Sequence, residues 1–204
     1  MKKILLILAA AWTLLACQTA IRGEASTPSA PPAARGPAGF TRQAFERDFP
    51  LPAGLSGLMR IGVTEYEARS RGLGYSLKYA SRDAVVDVYV YDLGRADIGD
   101  GLADPVIAEA FRMAVAEIES VGAAGTYTNL RLWRNETITV AGADFLFAEF
   151  SFQANGVDKY SFLLVRPLRG KIFKLRLTFN GARSETLLAS CLAMVADLVA
   201  SVRR

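Results

Sequence analysis

VDKYSFLLVRPLRGKIFKLRLTFN, residues 157–180, decides the fold. In its second half Phe173, Leu175, Leu177 and Phe179 alternate with Lys174, Arg176 and Thr178. A period of two marks an extended strand, and alternation this clean puts one face on a core and the other toward solvent or a cleft. Arg169-Gly170 interrupts the run and supplies a turn. The stretch therefore reads as two strands, 157–168 and 171–180, folded back on each other. With the turn centred there, Arg166 falls opposite Phe173 and Lys174 opposite Val165. Arg166 and Lys174 then point to opposite faces, whereas Lys174 and Arg176 share one.

The pattern extends in both directions. Asn155-Gly156 is a strong two-residue hairpin signal, because both positions of a type I′ turn need a positive φ. It joins strand 157–168 to DFLFAEFSFQA (144–154), which follows LRLWRNETITV (130–140). Further upstream lie LMRIGVTEYEA (58–68), GYSLKYA (74–80) and AVVDVYVYDL (84–93), rich in the β-branched and aromatic residues that suit a pleated surface. Between the two sets, 103–122 switches to a helical period. Asp104 suits the N-cap, Pro105 the first turn and Gly122 the C-terminal cap, with Ile107, Phe111, Ala114 and Ile118 on one stripe. After the last strand, Ser184 caps a second helix with a stripe of Leu188, Cys191, Val195 and Leu198. A short helix is expected over 41–48, ended by Pro50 and Pro52.

The order is three strands, helix, four strands, helix (βββαββββα). It predicts an α+β fold: a mostly antiparallel sheet of about six to seven strands with two main helices packed on it. This order is similar to the PsbP-like α/β/α sandwich. The resemblance covers the order of elements only and rests on no motif. It implies a non-enzymatic assembly or binding factor.

The N-terminus carries the chain's address. Lys2 and Lys3 precede an uncharged run from Ile4 to Ala16. Its 13 residues fall short of the ~20 that span a bilayer and match the apolar region of a signal peptide. The run ends Leu14-Leu15-Ala16-Cys17, which resembles the lipobox of bacterial lipoproteins. That resemblance implies a diacylglycerol on the Cys17 thiol, cleavage before Cys17 and acylation of the new N-terminus. The bilayer is then a partner through acyl chains, each buried methylene contributing ~0.8 kcal/mol. Gln18 after the cysteine resembles an outer-membrane sorting signal, facing the periplasm. The other reading is an ordinary cleaved signal with a chance cysteine. Residues 1–16 are thus expected to be a signal peptide and 17–39 a lipidated cysteine with a Pro/Ala-rich tether. Residues 40–204 are expected to form a single domain. The tether, 18–39, lacks the large apolar residues needed to fold and spans about 26 Å as a flexible chain.

Composition narrows the chemistry. The chain has 24 basic and 20 acidic residues; without Lys2 and Lys3 the basic count is 22. That balance, with no dense basic stripe, argues against nucleic acid. There is no histidine, which removes any Ser-His-Asp or Cys-His arrangement within the chain. Beyond Cys17 only Cys191 remains, so no internal disulfide is expected after processing, and Cys191 reads as a core thiol. No fingerprint of a cofactor, a phosphate loop or a metal site is present, and no cofactor is expected.

Four sets of side chains merit weighing. Asp92, Asp97, Asp100 and Asp104 lie among glycines, a composition shared by cation loops and ordinary turns. Asp87 and Glu149, on different strands, would make an acid–base pair if one sheet face held both, which is the requirement of an Asp/Glu hydrolase. Lys174 and Arg176 offer a basic pair, to which Arg166 and Lys159 add only if the register allows. With Asp87 and Glu149 they make the candidate interaction face. Phe145, Phe147, Phe150, Phe152 and Phe162 would line an apolar cavity in a lipid-like carrier, or fill a core. The expected role is membrane-anchored and non-catalytic: binding or assembly, with a protein partner or small ligand held between sheet and helix. The carrier and the hydrolase are the alternatives.

Overall fold

Eight strands form one sheet, in the order Gly54–Leu55, Leu58–Glu65, Tyr75–Ala80, Ala84–Tyr91, Lys171–Asn180, Val157–Leu168, Ala143–Ala154 and Thr128–Val140, and every neighbouring pair is antiparallel. The computed structural model describes residues 39–203. The expected signal segment, Cys17, Gln18 and all but the last residue of the tether lie outside the described residues.

The elements run α1 (Arg42–Asp48), β1 (Gly54–Leu55), β2 (Leu58–Glu65), β3 (Tyr75–Ala80), β4 (Ala84–Tyr91) and α2 (Pro105–Ala123). Then come β5 (Thr128–Val140), β6 (Ala143–Ala154), β7 (Val157–Leu168), β8 (Lys171–Asn180) and α3 (Glu185–Arg203). The sheet has eight strands rather than six to seven, because two-residue β1 pairs with the start of β2. The sheet is two four-strand meanders joined by one pairing, β4 with β8. Asn155-Gly156 and Arg169-Gly170 both hold positive φ at each position, as does Ala141-Gly142, so three consecutive hairpins turn in the same way. The β7–β8 register places Arg166 opposite Phe173 and Lys174 opposite Val165, as the turn centre dictates.

Period-two alternation gives the sheet two apolar faces. The first carries Tyr79, Val88, Phe147, Phe162, Leu175 and their neighbours, and is covered by α1 and α3. The second carries Ala148, Phe150, Leu163, Val165 and Ile172 beneath α2. The result is an α/β/α sandwich. α3 is long and apolar enough to cross a membrane by composition alone. Its Cys191, Val195 and Leu198 are nevertheless fully buried against the first face. Burial of side chains of this size contributes about 1.5–3 kcal/mol each.

α2 begins where the sequence predicts. Asp104 accepts a hydrogen bond from the Val106 amide and Pro105 fills the first turn. Its end differs. Gly122 lies inside the helix, and Gly125, at φ +77°, follows the C-terminus. Gly122 is there for contact: a Cβ on it would lie 2.5 Å from Leu130 Cδ2 on β5.

Candidate functional site

α2 packs over β5, β6 and β7. The β4 and β8 part of the second face is left beside it, and there a cleft of about 260 Å³ opens. Its floor is Asp87 and Tyr89 of β4 with Lys174, Arg176 and Thr178 of β8; Glu117 and Val121 of α2 and Tyr127 form the wall. Alternation explains the floor. Inward Val86, Val88 and Val90 of β4 force Asp87, Tyr89 and Tyr91 outward, just as Phe173, Leu175 and Leu177 force out Lys174 and Arg176. The β4–β8 register then sets Asp87 opposite Arg176 and Tyr89 opposite Lys174.

Both cations are half-buried. Lys174 Nζ sits 4.5 Å from the Tyr89 ring centroid and 5.7 Å from that of Tyr91. Arg176 lies 5.9 Å from the Phe150 ring, and its Nε donates to Ser161 Oγ at 2.8 Å. Ser161 spends its one proton on the Leu177 carbonyl, so Thr178 donates to Ser161 Oγ at 2.8 Å. Among the described residues neither Lys174 nor Arg176 makes an ion pair. Asp87 pairs instead with Lys78 at 3.5 Å. Burial pushes the Lys174 ammonium and the Arg176 guanidinium below their ordinary pKa values. It also pushes Asp87 up, against the opposing pull of Lys78. The Tyr89 and Tyr91 hydroxyls are raised by burial and stay protonated as donors.

Three of the four residues of the sequence-derived face, Asp87, Lys174 and Arg176, therefore come together. Glu149 does not join them. It lies on the first face, opposite Phe162 on β7 and Arg134 on β5, and is fully buried. Its Oε1 accepts from Tyr160 at 2.8 Å and from Arg183 Nε at 2.5 Å. Arg134 stands 3.7 Å from Oε2, which has no hydrogen-bond partner among the described residues. Asp87 and Glu149 are thus on opposite faces, and the paired-carboxylate arrangement of the hydrolase reading does not exist. A bulge between Leu132 and Arg134 brings Trp133 to the Glu149 side, where its indole donates to Ser151 at 2.8 Å. Tyr89 and Tyr91 were legible in the alternation of β4. Arg183 and the bulge carry no sequence signal.

The carrier reading is also corrected. Phe145, Phe147 and Phe162 are packed on the first face, and Phe150 and Phe152 on the second, all within filled cores. The aspartates after β4 serve the loop. Asp92 binds Lys171 at 2.5 Å, Asp97 binds Arg95 at 2.8 Å, and Asp104 caps α2 while accepting from the Gly99 amide. Among the described residues no cluster of three metal-binding side chains occurs. Cys191 is a buried free thiol, pushed well up by burial.

No protein-family model and no curated protein matches the chain. Solved structures do. The chain is similar to the cyanobacterial PsbP protein CyanoP of Synechocystis sp. PCC 6803, with 16% identity over 69% of this chain and 79% of that one, at a TM-score of 0.44. It is similar to LpqN, described as involved in cell envelope biogenesis of Mycobacterium tuberculosis, with 14% identity over 77% and 95% of the two chains, at a TM-score of 0.37. A third is PA94 of Pseudomonas aeruginosa, described as a protein of unknown function and putative regulator, with 14% identity over 49% and 62%, at 0.30.

Proposed function

We propose that this chain is a lipid-anchored protein of the bacterial envelope whose domain is a non-catalytic binding or assembly module. The lipobox at 14–17 attaches it through Cys17, Gln18 directs it to the outer membrane facing the periplasm, and the Pro/Ala-rich tether spaces it from the lipid. The cleft beside α2 receives a small ligand or a side group of a protein partner. One observation carries this reading. Where α2 leaves the second face, the strands present Asp87, Tyr89, Lys174 and Arg176 in a half-buried recess rather than on an open surface. Concave sites with a few convergent polar groups are where ligands bind.

The test is site-specific photocrosslinking in the intact envelope. A photoreactive residue at Tyr89 or Thr178 is expected to give a discrete adduct that the same residue at Thr137, on exposed β5, does not. Equal labelling from all three positions, or none from the cleft, overturns the reading.

A further inference from the structure

We propose that Lys174 and Arg176 are the seat for a compact oxyanion, a phosphate or carboxylate group carried by the ligand of the α2 cleft. The inference deepens the reading of that cleft as a binding site and rests on it.

Four observations converge. Arg176 uses Nε on Ser161, and among the described residues its two terminal nitrogens make no hydrogen bond. A guanidinium anchored in this way keeps its paired outer donors for a bidentate acceptor. Lys174 likewise makes no hydrogen bond or ion pair among the described residues, and is held in place by Tyr89 and Tyr91. The two stand two residues apart on one strand, so their Cα atoms are about 7 Å apart, within reach of one small anion. The carboxylates of the cleft, Asp87 and Glu117, attract both cations through space but form no hydrogen bond or ion pair with either among the described residues. Asp87 is committed to Lys78, and Glu117 is exposed on α2, where water screens it.

Holding two unpaired, half-buried cations is unfavourable unless something compensates. Burial already holds both groups below their ordinary pKa values. An arriving anion supplies the missing partner. The cavity, about 260 Å³, accommodates the charged end of a small molecule.

The experiment uses the full-length chain in non-ionic detergent, with backbone amides followed by NMR. It is titrated at constant ionic strength with sodium phosphate, sodium acetate and, as a control, tetramethylammonium chloride. Phosphate or acetate is expected to shift the amides of Tyr89, Lys174 and Arg176 saturably. Lys174→Met and Arg176→Met should each weaken that binding tenfold or more. Arg176→Lys keeps the charge but removes the fork, and should fall between. Mixed micelles of the detergent with phosphatidylglycerol, compared with phosphatidylcholine, separate a lipid headgroup from a soluble oxyanion as the source; a cleft response to either oxyanion source supports the seat. Shifts that persist unchanged in the variants overturn the proposal. So does a cleft that responds to tetramethylammonium but to no anion; that outcome leaves the cleft a binding site of other chemistry. A cleft silent to every probe overturns the oxyanion seat. If it is silent to crosslinking as well, the binding reading falls too.

Discussion

The hydroxyl of Tyr160 donates to the fully buried carboxylate of Glu149 at 2.8 Å, across the β6–β7 pairing. Hydrogen bonds to a buried charge are among the stronger ones. Tyr160→Phe is expected to lose about 1.5–3 kcal/mol of stability. Glu149→Leu removes the charge itself and leaves Arg134 and Arg183 free to turn to water, so it should cost much less. Urea denaturation of both variants decides it. A Tyr160→Phe midpoint equal to that of the parent would show that the bond contributes nothing.

Lys174 bears on stability with a defined sign. Its folded-state pKa is depressed by burial, so between that value and about 10.4 the unfolded chain binds more protons and stability rises with pH. At neutral pH the buried ammonium therefore destabilises the fold. Lys174→Met should raise Tm at pH 7, and the gain should fade as the pH approaches 10.5. Asp87, raised by burial, behaves in mirror image: Asp87→Asn should stabilise at pH 7 and lose its advantage below about pH 4. Melting curves across pH test both. A variant that gains stability while losing ligand is the mark of a site kept for function.

Two members of the three type I′ turns have side chains that suit their positions poorly, Ala141 at φ +50° and Arg169 at +54°; the Arg169 guanidinium is committed to the Asp48 and Val202 carbonyls, so Ala141 is the one to change. Asn tolerates this region and Ala does not. Ala141→Asn should stabilise by about 1 kcal/mol. The Ala141 carbonyl, which accepts from Arg203 at 2.6 Å, is unchanged by the substitution. Thermal unfolding with no gain would contradict the argument.

Gly122→Ala sets two effects against each other. Alanine gains about 1 kcal/mol of helix propensity, but its Cβ meets Leu130 at 2.5 Å, and overpacking costs about 1–3 kcal/mol. A net loss is expected. Adding Leu130→Ala should relieve the crowding, so the double variant should be more stable than the sum of its parts predicts.

Cys17→Ser should abolish metabolic labelling with palmitate and move the protein out of the detergent phase. Continued labelling or partition would rule out the lipid anchor.

Much of this was legible because alternation is a local signal. Phe173, Leu175, Leu177 and Phe179 specify the first face without knowledge of any partner strand, and the turns at Asn155-Gly156 and Arg169-Gly170 specify the β6–β7 and β7–β8 registers. The pairing of β4 with β8 is different. It joins positions 81 to 95 residues apart, Tyr91 with Ile172 and Ala84 with Phe179, and no turn announces it. That pairing is what brings Asp87 and Tyr89 to Lys174 and Arg176. For Glu149 only the relation to Asp87 depended on that pairing: the two turn registers run from Glu149 to Phe162 to Leu177, and so already set Glu149 on the face opposite Lys174 and Arg176. β1 was missed because two residues make no period.

The two meanders need only short loops to close, each strand finding the one just made. Joining them requires closing a loop of roughly 80 residues or more, a slow, entropically unfavourable step rewarded only when β4 and β8 meet. The cleft lies across that seam, with residues from both sides. A ligand seated there acts as a clasp between the two halves of the chain. It should slow their separation, and so lengthen the life of the folded domain.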